Sequence, residues 1–304
     1  MLSSISDNTR SQYTTSLKLW WIYCHKNNVD FFNFDLSFLF KFLSDCFENG
    51  SSYGTLNNHR SAISLISTTS ISDEPRLKRF FKGIFRRKPI FPRYDYTWNP
   101  SIVLDYLDTL NNDSISLEKL TRKLVMLLAL STGQRMQTLS YIKISNMKTF
   151  EDRIIITIKD MIKTSRVGKA QPVLNLPFFH PRPGICPAST LQKYCSVTAS
   201  IRSSSEDHLI LTYKKPYRPA TSQSMGRWIK QTLSDSGIDT SIFKAHSTRH
   251  ASTSAASRAG LSIDVIRKTA GWSAQSAVFA NFYNRPIIDS NTSILDCCTI
   301  NDNM

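Results

Sequence analysis

KAHSTRHASTSAASRAGLSIDVIRKTAGWSAQSAVFANFYNRP, residues 244–286, is the stretch on which the interpretation of this chain depends. It contains, in order, His246 and Arg249 in a His-x-x-Arg pattern, Trp272 directly after a glycine, and Tyr283. A reaction at a phosphodiester requires groups of these types. An arginine can donate two hydrogen bonds to non-bridging oxygens, and a histidine or an indole N–H can donate to the same oxygens. A tyrosine hydroxyl can attack phosphorus and form a covalent intermediate.

The composition of the chain favours a polyanionic partner. Its 304 residues include 38 Lys and Arg against 23 Asp and Glu, which gives a net charge of +15. An excess of this size predicts binding to nucleic acid first and to an acidic membrane surface second. No apolar run in the sequence approaches the length of a membrane span, so nothing in it predicts a membrane protein.

The cysteines give no sign of a metal site or of disulfides. They form no Cys-x-x-Cys pair and no Cys/His cluster with zinc spacing, so the sequence predicts neither a metal nor a cofactor. Scattered cysteines in a chain of this length are typical of a reducing compartment, and the N-terminus has no apolar signal core. We therefore expect the protein in the nucleus or cytoplasm, wherever its DNA target lies, and not outside the cell.

Residues 6–94 have the apolar spacing of a small helical bundle, which ends in the basic stretch PRLKRFFKGIFRRKP at residues 75–89. Seven cations in this stretch have no acid between them. Because like charges repel, such a run predicts an anionic neighbour, and we expect contact with the DNA backbone, with a solvated helix face as the alternative. The residues assigned to this contact are Arg76, Lys78, Arg79, Lys82, Arg86, Arg87 and Lys88.

Pro89, Pro92 and Pro100 mark a boundary between two domains, because proline disfavours helix in the residue before it. A flexible linker here would allow two DNA-facing domains to close around a duplex. The predicted division is a helical DNA-binding domain at 1–94, a catalytic domain at 95–288 and a flexible tail at 289–304.

Arg135 follows a glycine that separates an apolar helix, predicted at 119–130, from a second helix that begins at Met136. An arginine at such a junction can bury its stem and leave its guanidinium free at the edge of a cleft. An ordinary surface arginine is the alternative, and composition alone favours it.

Two short strands are predicted farther along, because residues 153–158 are β-branched and residues 171–176 alternate between apolar and polar. The segment between them is basic. Its lysines are Lys159, Lys163 and Lys169, and a turn that merely touches phosphate is the plain interpretation.

These stretches together resemble the tyrosine recombinase (phage integrase) family, closely over residues 101–286 and loosely over 6–94. The stretch 244–286 is similar to the C-terminal box of that family, and ALSTGQRMQTLSYIKISN (129–146) is similar to its first arginine box. Within the family, the motif sequences most resemble those of eukaryotic mobile-element (crypton-like) recombinases. The resemblance implies a mainly α fold with a small β-hairpin or sheet, comprising an N-terminal helical core-binding bundle and a C-terminal catalytic domain.

The resemblance also implies an activity, which is DNA strand cleavage and rejoining through a 3′-phosphotyrosine without metal or cofactor. Tyr283 then matches the nucleophile, and Lys163 is the best match to the family's catalytic lysine. The remaining matches, which stabilise charge on the phosphate, are Arg135, His246, Arg249 and Trp272. We expect alanine at either arginine to abolish cleavage and leave folding intact. The implied partners are double-stranded DNA and further copies of the chain in a synaptic dimer or tetramer.

Two features depart from the family pattern. Many members have an acid where this chain has Thr138, and the interval from Trp272 to Tyr283 is longer than in most. A catalytically inactive DNA-binding protein derived from such an enzyme is the main alternative, and a type IB topoisomerase-like enzyme is another. Because every candidate catalytic residue is retained, the sequence favours an active recombinase or integrase of a mobile element.

Overall fold

The computed structural model describes residues 5–71, 73–168, 170–273 and 283–288. Its fold is mainly α-helical with a small antiparallel sheet, as the sequence predicts. The chain divides into two compact units, Met1–Pro92 and Arg93–Met304, close to the boundary predicted after residue 94. In the described ranges no helix is both long enough and apolar enough to cross a membrane. The tail predicted at 289–304 lies outside the described residues.

The described part of the first unit contains four helices, α1 (Asp7–Asn27), α2 (Leu36–Glu48), α3 (Tyr53–Ile66) and α4 (Pro75–Arg87). At the start of each, a side-chain oxygen accepts a hydrogen bond from a backbone N–H of the first turn, which would otherwise lack a partner. The residues that supply these oxygens are Ser6, Asp35, Ser52 and Glu74. The core is centred on the fully buried Trp20, whose ring meets the edges of Phe34 and Phe42.

Helix α4 separates its apolar residues from its basic residues. Leu77, Phe81 and Ile84 are buried in the core of the unit, whereas all seven predicted DNA-contacting cations are exposed. The fold supplies acidic partners to three of those cations, since Glu74, Asp73 and Glu48 pair respectively with Arg76, Lys78 and Arg87. The cations that form no ion pair with any residue that the structure describes are Arg79, Lys82, Arg86 and Lys88. The basic surface therefore has less uncompensated charge than the sequence suggests.

The second unit is built around α6 (Leu117–Thr132), which is buried along most of its length. The other helices are α5 (Pro100–Asp108), α7 (Met136–Ser140), α8 (Pro187–Thr198), α9 (Ser222–Asp235), α10 (Ser247–Arg258) and α11 (Ile263–Thr269). Of these, α8, α9 and α10 pack against α6. Helix α6 ends at Gly133, whose φ of +57° is left-handed and whose Cα approaches α10 so closely that a Cβ would lie 3.3 Å from Thr253. This turn brings the start of α7 beside α10.

The sheet of the second unit has three antiparallel strands, β2 (Met147–Thr149), β3 (Arg153–Thr157) and β4 (Val173–Pro177). In the register, Ile155 lies opposite Asn175. Ile154 and Ile156 of β3 face the core, which explains the β-branched run in the sequence. The sequence predicts β3 and β4 but not β2. The loop between β3 and β4 contains Lys163.

A second, very short pairing joins the two ends of the unit. Strand β1 (Thr97–Trp98) runs parallel to β5 (Ile287–Ile288), and the backbone N–H of Thr97 donates to the carbonyl oxygen of Pro286 at 2.7 Å. This pairing fixes the backbone just after Tyr283 to the segment that precedes α5. Nothing in the sequence predicts it, because each strand has only two residues and their partners are remote along the chain.

Candidate active site

Arg249 is the most firmly anchored of the predicted site residues. It lies on α10, is 2% exposed, and donates hydrogen bonds to the carbonyl oxygens of Gly133 at 2.7 Å and Ala270 at 2.8 Å. These two residues are the C-terminal caps of α6 and α11, where the helix dipoles place partial negative charge. The Nε of Arg249 has no hydrogen-bond partner among the residues that the structure describes. The guanidinium is thus fixed by two helix ends and keeps donors available for a further acceptor.

The environment of Arg249 shifts its pKa without removing its charge. Burial, reinforced by the nearby positive charge of Arg135, lowers the pKa of Arg249 to about 10, while Tyr283 acts in the opposite direction. The guanidinium therefore remains protonated at neutral pH. Its Cζ lies 4.3 Å from the centroid of the Trp272 ring, where cation–π attraction offsets part of the cost of burial.

His246 and Tyr283 form the central contact of the site, with 2.8 Å between the imidazole Nε2 and the hydroxyl oxygen. Although His246 keeps an exposed surface, partial burial of its ring lowers its pKa, and the positive charges of Arg249, Arg135 and Lys163 lower it further. The imidazole is therefore neutral at pH 7. In the tautomer with its proton on Nδ1, Nε2 can accept the proton of the hydroxyl.

Tyr283 is held through both its ring and its backbone. The side chain is 5% exposed, and its ring lies 4.7 Å from that of Trp272 and 4.4 Å from that of His250. The hydroxyl of Ser254 donates to the carbonyl oxygen of Tyr283 at 2.8 Å and accepts from the N–H of Arg285 at 3.1 Å. The orientation of the phenol is therefore set by residues of α10 together with Trp272.

Arg135 lies at the N-terminal end of α7, half-buried, and its positive charge acts on both His246 and Arg249. The turn that carries it is tied to α11, because the side-chain amide of Gln134 donates to the carbonyl oxygen of Thr269 at 2.6 Å. The glycine break before Arg135 therefore serves to bring this arginine to the same site as α10 and α11.

Lys163 is exposed in the loop after β3, and its backbone N–H donates to the side-chain oxygen of Gln137 on α7 at 3.2 Å. Its positive charge also lowers the pKa of His246. Lys159 is exposed as well. The third candidate, Lys169, lies outside the described residues.

The structure brings all the predicted catalytic residues into one region of the second unit, whereas the basic residues of α4 belong to the first unit. The predicted catalytic residues are Arg135, Lys163, His246, Arg249, Trp272 and Tyr283. Most of the long interval between Trp272 and Tyr283 lies outside the described residues. Sequence reasoning missed His250, whose only signal is its place directly after Arg249. In the described ranges no three His, Cys, Asp or Glu side chains are grouped as metal ligands would be.

The second unit also has a basic concavity of about 470 Å³ at the N-terminal end of α9. The cations that line it are Lys214, Lys215, Arg218 and Arg227. Helix α9 lies against the residue that precedes His246, because a Cβ on Gly226 would be 3.8 Å from that of Ala245.

The sequence profile of the phage integrase family matches residues 103–287. Among the solved structures with a similar fold is the XerH site-specific recombinase bound to difH substrate, at 17% identity over 83% of this chain and 67% of that chain, with a TM-score of 0.58. Another is the Tn1549 transposon integrase in complex with transposon right end DNA, at 16% identity over 97% of this chain and 92% of that chain, with a TM-score of 0.60. A lambda integrase dimer bound to a COC' core site matches at 16% identity over 92% of this chain and 72% of that chain, with a TM-score of 0.56. No curated protein matches the sequence.

Proposed function

Since this chain belongs to the phage integrase family, we propose that it is a tyrosine recombinase that cleaves and rejoins DNA strands in the recombination or integration of a mobile element. The observation that carries the proposal is the 2.8 Å contact between the His246 Nε2 and the Tyr283 hydroxyl, next to the anchored guanidinium of Arg249. An inactive DNA-binding descendant would have no need to keep a neutral imidazole on a tyrosine hydroxyl beside two arginines.

In the proposed cleavage step, the Tyr283 oxygen attacks phosphorus while its proton passes to the neutral His246. A phenol ordinarily has a pKa of about 10, so an acceptor at hydrogen-bond distance is needed at neutral pH. The bond from phosphorus to the 5′-oxygen breaks, and that oxygen takes a proton from Lys163. The product is a 3′-phosphotyrosine and a free 5′-hydroxyl. Attack by another 5′-hydroxyl reverses these steps and joins new strands.

The two arginines would stabilise the charge that develops on the non-bridging oxygens. Arg249 is pre-positioned by Gly133 and Ala270, so little reorganisation is needed when this charge appears. Arg135 and the indole of Trp272 would complete the set of donors. Thr138, where many family members have an acid, is buried on α7. The neighbouring Gln137 holds the backbone of Lys163, so in this chain the contact between α7 and the lysine loop is made by an amide.

DNA binding is proposed to involve exposed cations of both units, namely the basic face of α4 and the concavity at α9. A strand exchange needs two cleaved duplexes, so we propose that further copies of the chain assemble on DNA as a synaptic dimer or tetramer. The lambda integrase dimer bound to a COC' core site is an example of a protein of this fold that binds DNA as a dimer.

The experiment that tests the proposal is incubation of the protein with nicked duplex DNA, followed by a denaturing gel. The nick allows the cleaved fragment to diffuse away, so that the phosphotyrosine adduct accumulates. A band that contains both protein and DNA is the expected result. Binding to the same DNA without any adduct would support the alternative, a DNA-binding protein that has lost catalysis.

Lys163→Ala is expected to slow cleavage of a normal strand by about 100- to 10,000-fold, the usual contribution of a general acid. The same variant should cleave nearly as fast as the unmodified protein when sulfur replaces the 5′-bridging oxygen, because a thiolate leaves without a proton. Single-turnover adduct formation on the two substrates measures this difference. Lys159→Ala is the matched control and should be near normal on both, and a sulfur-dependent rescue of Lys159→Ala would assign the general acid to that lysine.

Salt dependence distinguishes the paired from the unpaired cations of α4. Each phosphate contact adds about 0.9 to the slope of log K against log salt, so Arg79→Ala with Arg86→Ala should lower the slope by up to about 1.8. Arg76→Ala with Arg87→Ala removes the same number of arginines from the same helix, but their acids already compensate them, so the slope should change less. Fluorescence anisotropy with a short duplex measures both. An unchanged slope in the first variant would remove Arg79 and Arg86 from the interface.

A further inference from the structure

We infer that His250 is a positioning residue for the nucleophile, an inference that rests on the proposed function. His250 is 2% exposed, and its imidazole is stacked on the Tyr283 ring with 4.4 Å between centroids and 29° between planes. It is the next residue after Arg249 on α10, so the helix that anchors the guanidinium also supplies the surface against which the phenol lies.

The imidazole of His250 is itself held by neighbouring rings. Its ring meets those of Tyr94 and His246 in edge-on contacts, with centroids 5.6 Å and 5.7 Å away and planes inclined by 78° and 80°. His250 therefore contacts both the nucleophile and the residue proposed to accept its proton. The closer contact is the stack on Tyr283, so the flat ring of His250 limits rotation of the Tyr283 phenol.

The contacts also close a ring of residues around the nucleophile. Tyr94, which meets the edge of His250, lies under the guanidinium of Arg285, with Cζ 4.8 Å from the ring centroid. Arg285 follows Tyr283 by two residues, and its N–H bonds to the same Ser254 hydroxyl that holds the Tyr283 carbonyl. The backbone around Tyr283 is therefore fixed, and rotation of the phenol away from His250 would lose the ring stack. Core packing alone would require only an apolar side chain of similar volume at residue 250.

The role predicts a specific loss when the ring is removed. His250→Leu introduces an apolar side chain of similar size without a flat ring, so the Tyr283 side chain gains rotational freedom. We expect adduct formation on saturating nicked DNA to slow about ten-fold or more, with unchanged DNA affinity, because misplacement of a reacting group affects the chemical step. His250→Phe restores a flat ring and should recover most of the rate.

An external nucleophile separates positioning from general damage to the site. In a Tyr283→Gly background, hydrogen peroxide can attack the scissile phosphate in place of the tyrosine while the other residues act as before. His250→Leu should leave this peroxide-dependent cleavage unchanged, because no tyrosine remains to be oriented. Equal slowing in the tyrosine and peroxide reactions would show a purely structural role and overturn the inference.

Two further results would also decide the matter. If His250→Leu formed the adduct at the normal rate, or faster, stacking would not orient the nucleophile. If the unmodified protein formed no adduct at all, the proposed function itself would fail, and that outcome is distinguishable because it does not depend on His250.

Discussion

Tyr283→Phe is expected to eliminate the covalent protein–DNA adduct while DNA binding stays within about two-fold of the unmodified protein. The substitution removes one oxygen and keeps the ring that packs against Trp272 and His250. The lost hydrogen bond to His246 is worth about 1 kcal/mol of folding free energy, so the protein should remain folded. A denaturing gel with nicked DNA measures the adduct, and anisotropy with the same duplex measures binding.

Tyr141→Phe is the matched control for this experiment. Tyr141 directly follows α7, the helix next to Arg135, so it is the tyrosine closest to Arg135 in the sequence. The Tyr141→Phe variant should form the adduct at the normal rate. An adduct that persisted in Tyr283→Phe and disappeared in Tyr141→Phe would transfer the nucleophile to the other tyrosine and remove the central claim of the proposed mechanism.

Arg249→Lys is expected to reduce cleavage by about 100- to 1,000-fold, which is typical when a preorganised donor to a developing oxyanion is lost. A lysine cannot bond to the carbonyls of Gly133 and Ala270 and also present two parallel donors to a phosphate. The rate of adduct formation at saturating DNA measures the effect. A near-normal rate in Arg249→Lys would show that a point charge is sufficient at this position.

Alanine at the two arginines should have different effects on stability. Arg249→Ala leaves two carbonyl oxygens without a donor in a buried place, at about 1–3 kcal/mol each, so its free energy of unfolding should fall by several kcal/mol. Arg135→Ala, at a half-buried position, should change stability much less. Urea denaturation of the full chain compares them. Equal stability of the two variants would contradict the structural role assigned to Arg249.

The buried hydrogen bonds of Arg249 give the two arginines different structural roles, which the sequence alone does not suggest. A His-x-x-Arg motif identifies Arg249 as a phosphate-binding candidate, and on that basis either arginine could be replaced without harm to the fold. Arg249 has a second role, which is to bond to the C-terminal ends of α6 and α11. These two helices are remote in sequence, and no local pattern predicts that their ends meet. The same limit explains why the sequence does not identify His250, since its contact with Tyr283 spans a long part of the chain.

Local patterns were sufficient for most of the fold. Apolar spacing predicts a helical bundle in the first unit, β-branched residues predict β3, and an alternating pattern predicts β4. Partners that are distant in sequence were not predictable. The acid that pairs with Arg87 is Glu48 on another helix, and β1 finds its partner β5 near the other end of the described chain. The candidate site residues come from the family resemblance, since composition alone favours an ordinary surface position for Arg135.

The position of Arg249 between two helix ends has a consequence for how the protein responds to heat. Its guanidinium bonds to the last turn of α6, which is the centre of the core, and to the last turn of α11. Release of the guanidinium therefore requires the ends of both helices to loosen. We therefore expect the loss of adduct formation on heating to coincide with melting of this unit, which activity and circular dichroism over one temperature series would measure.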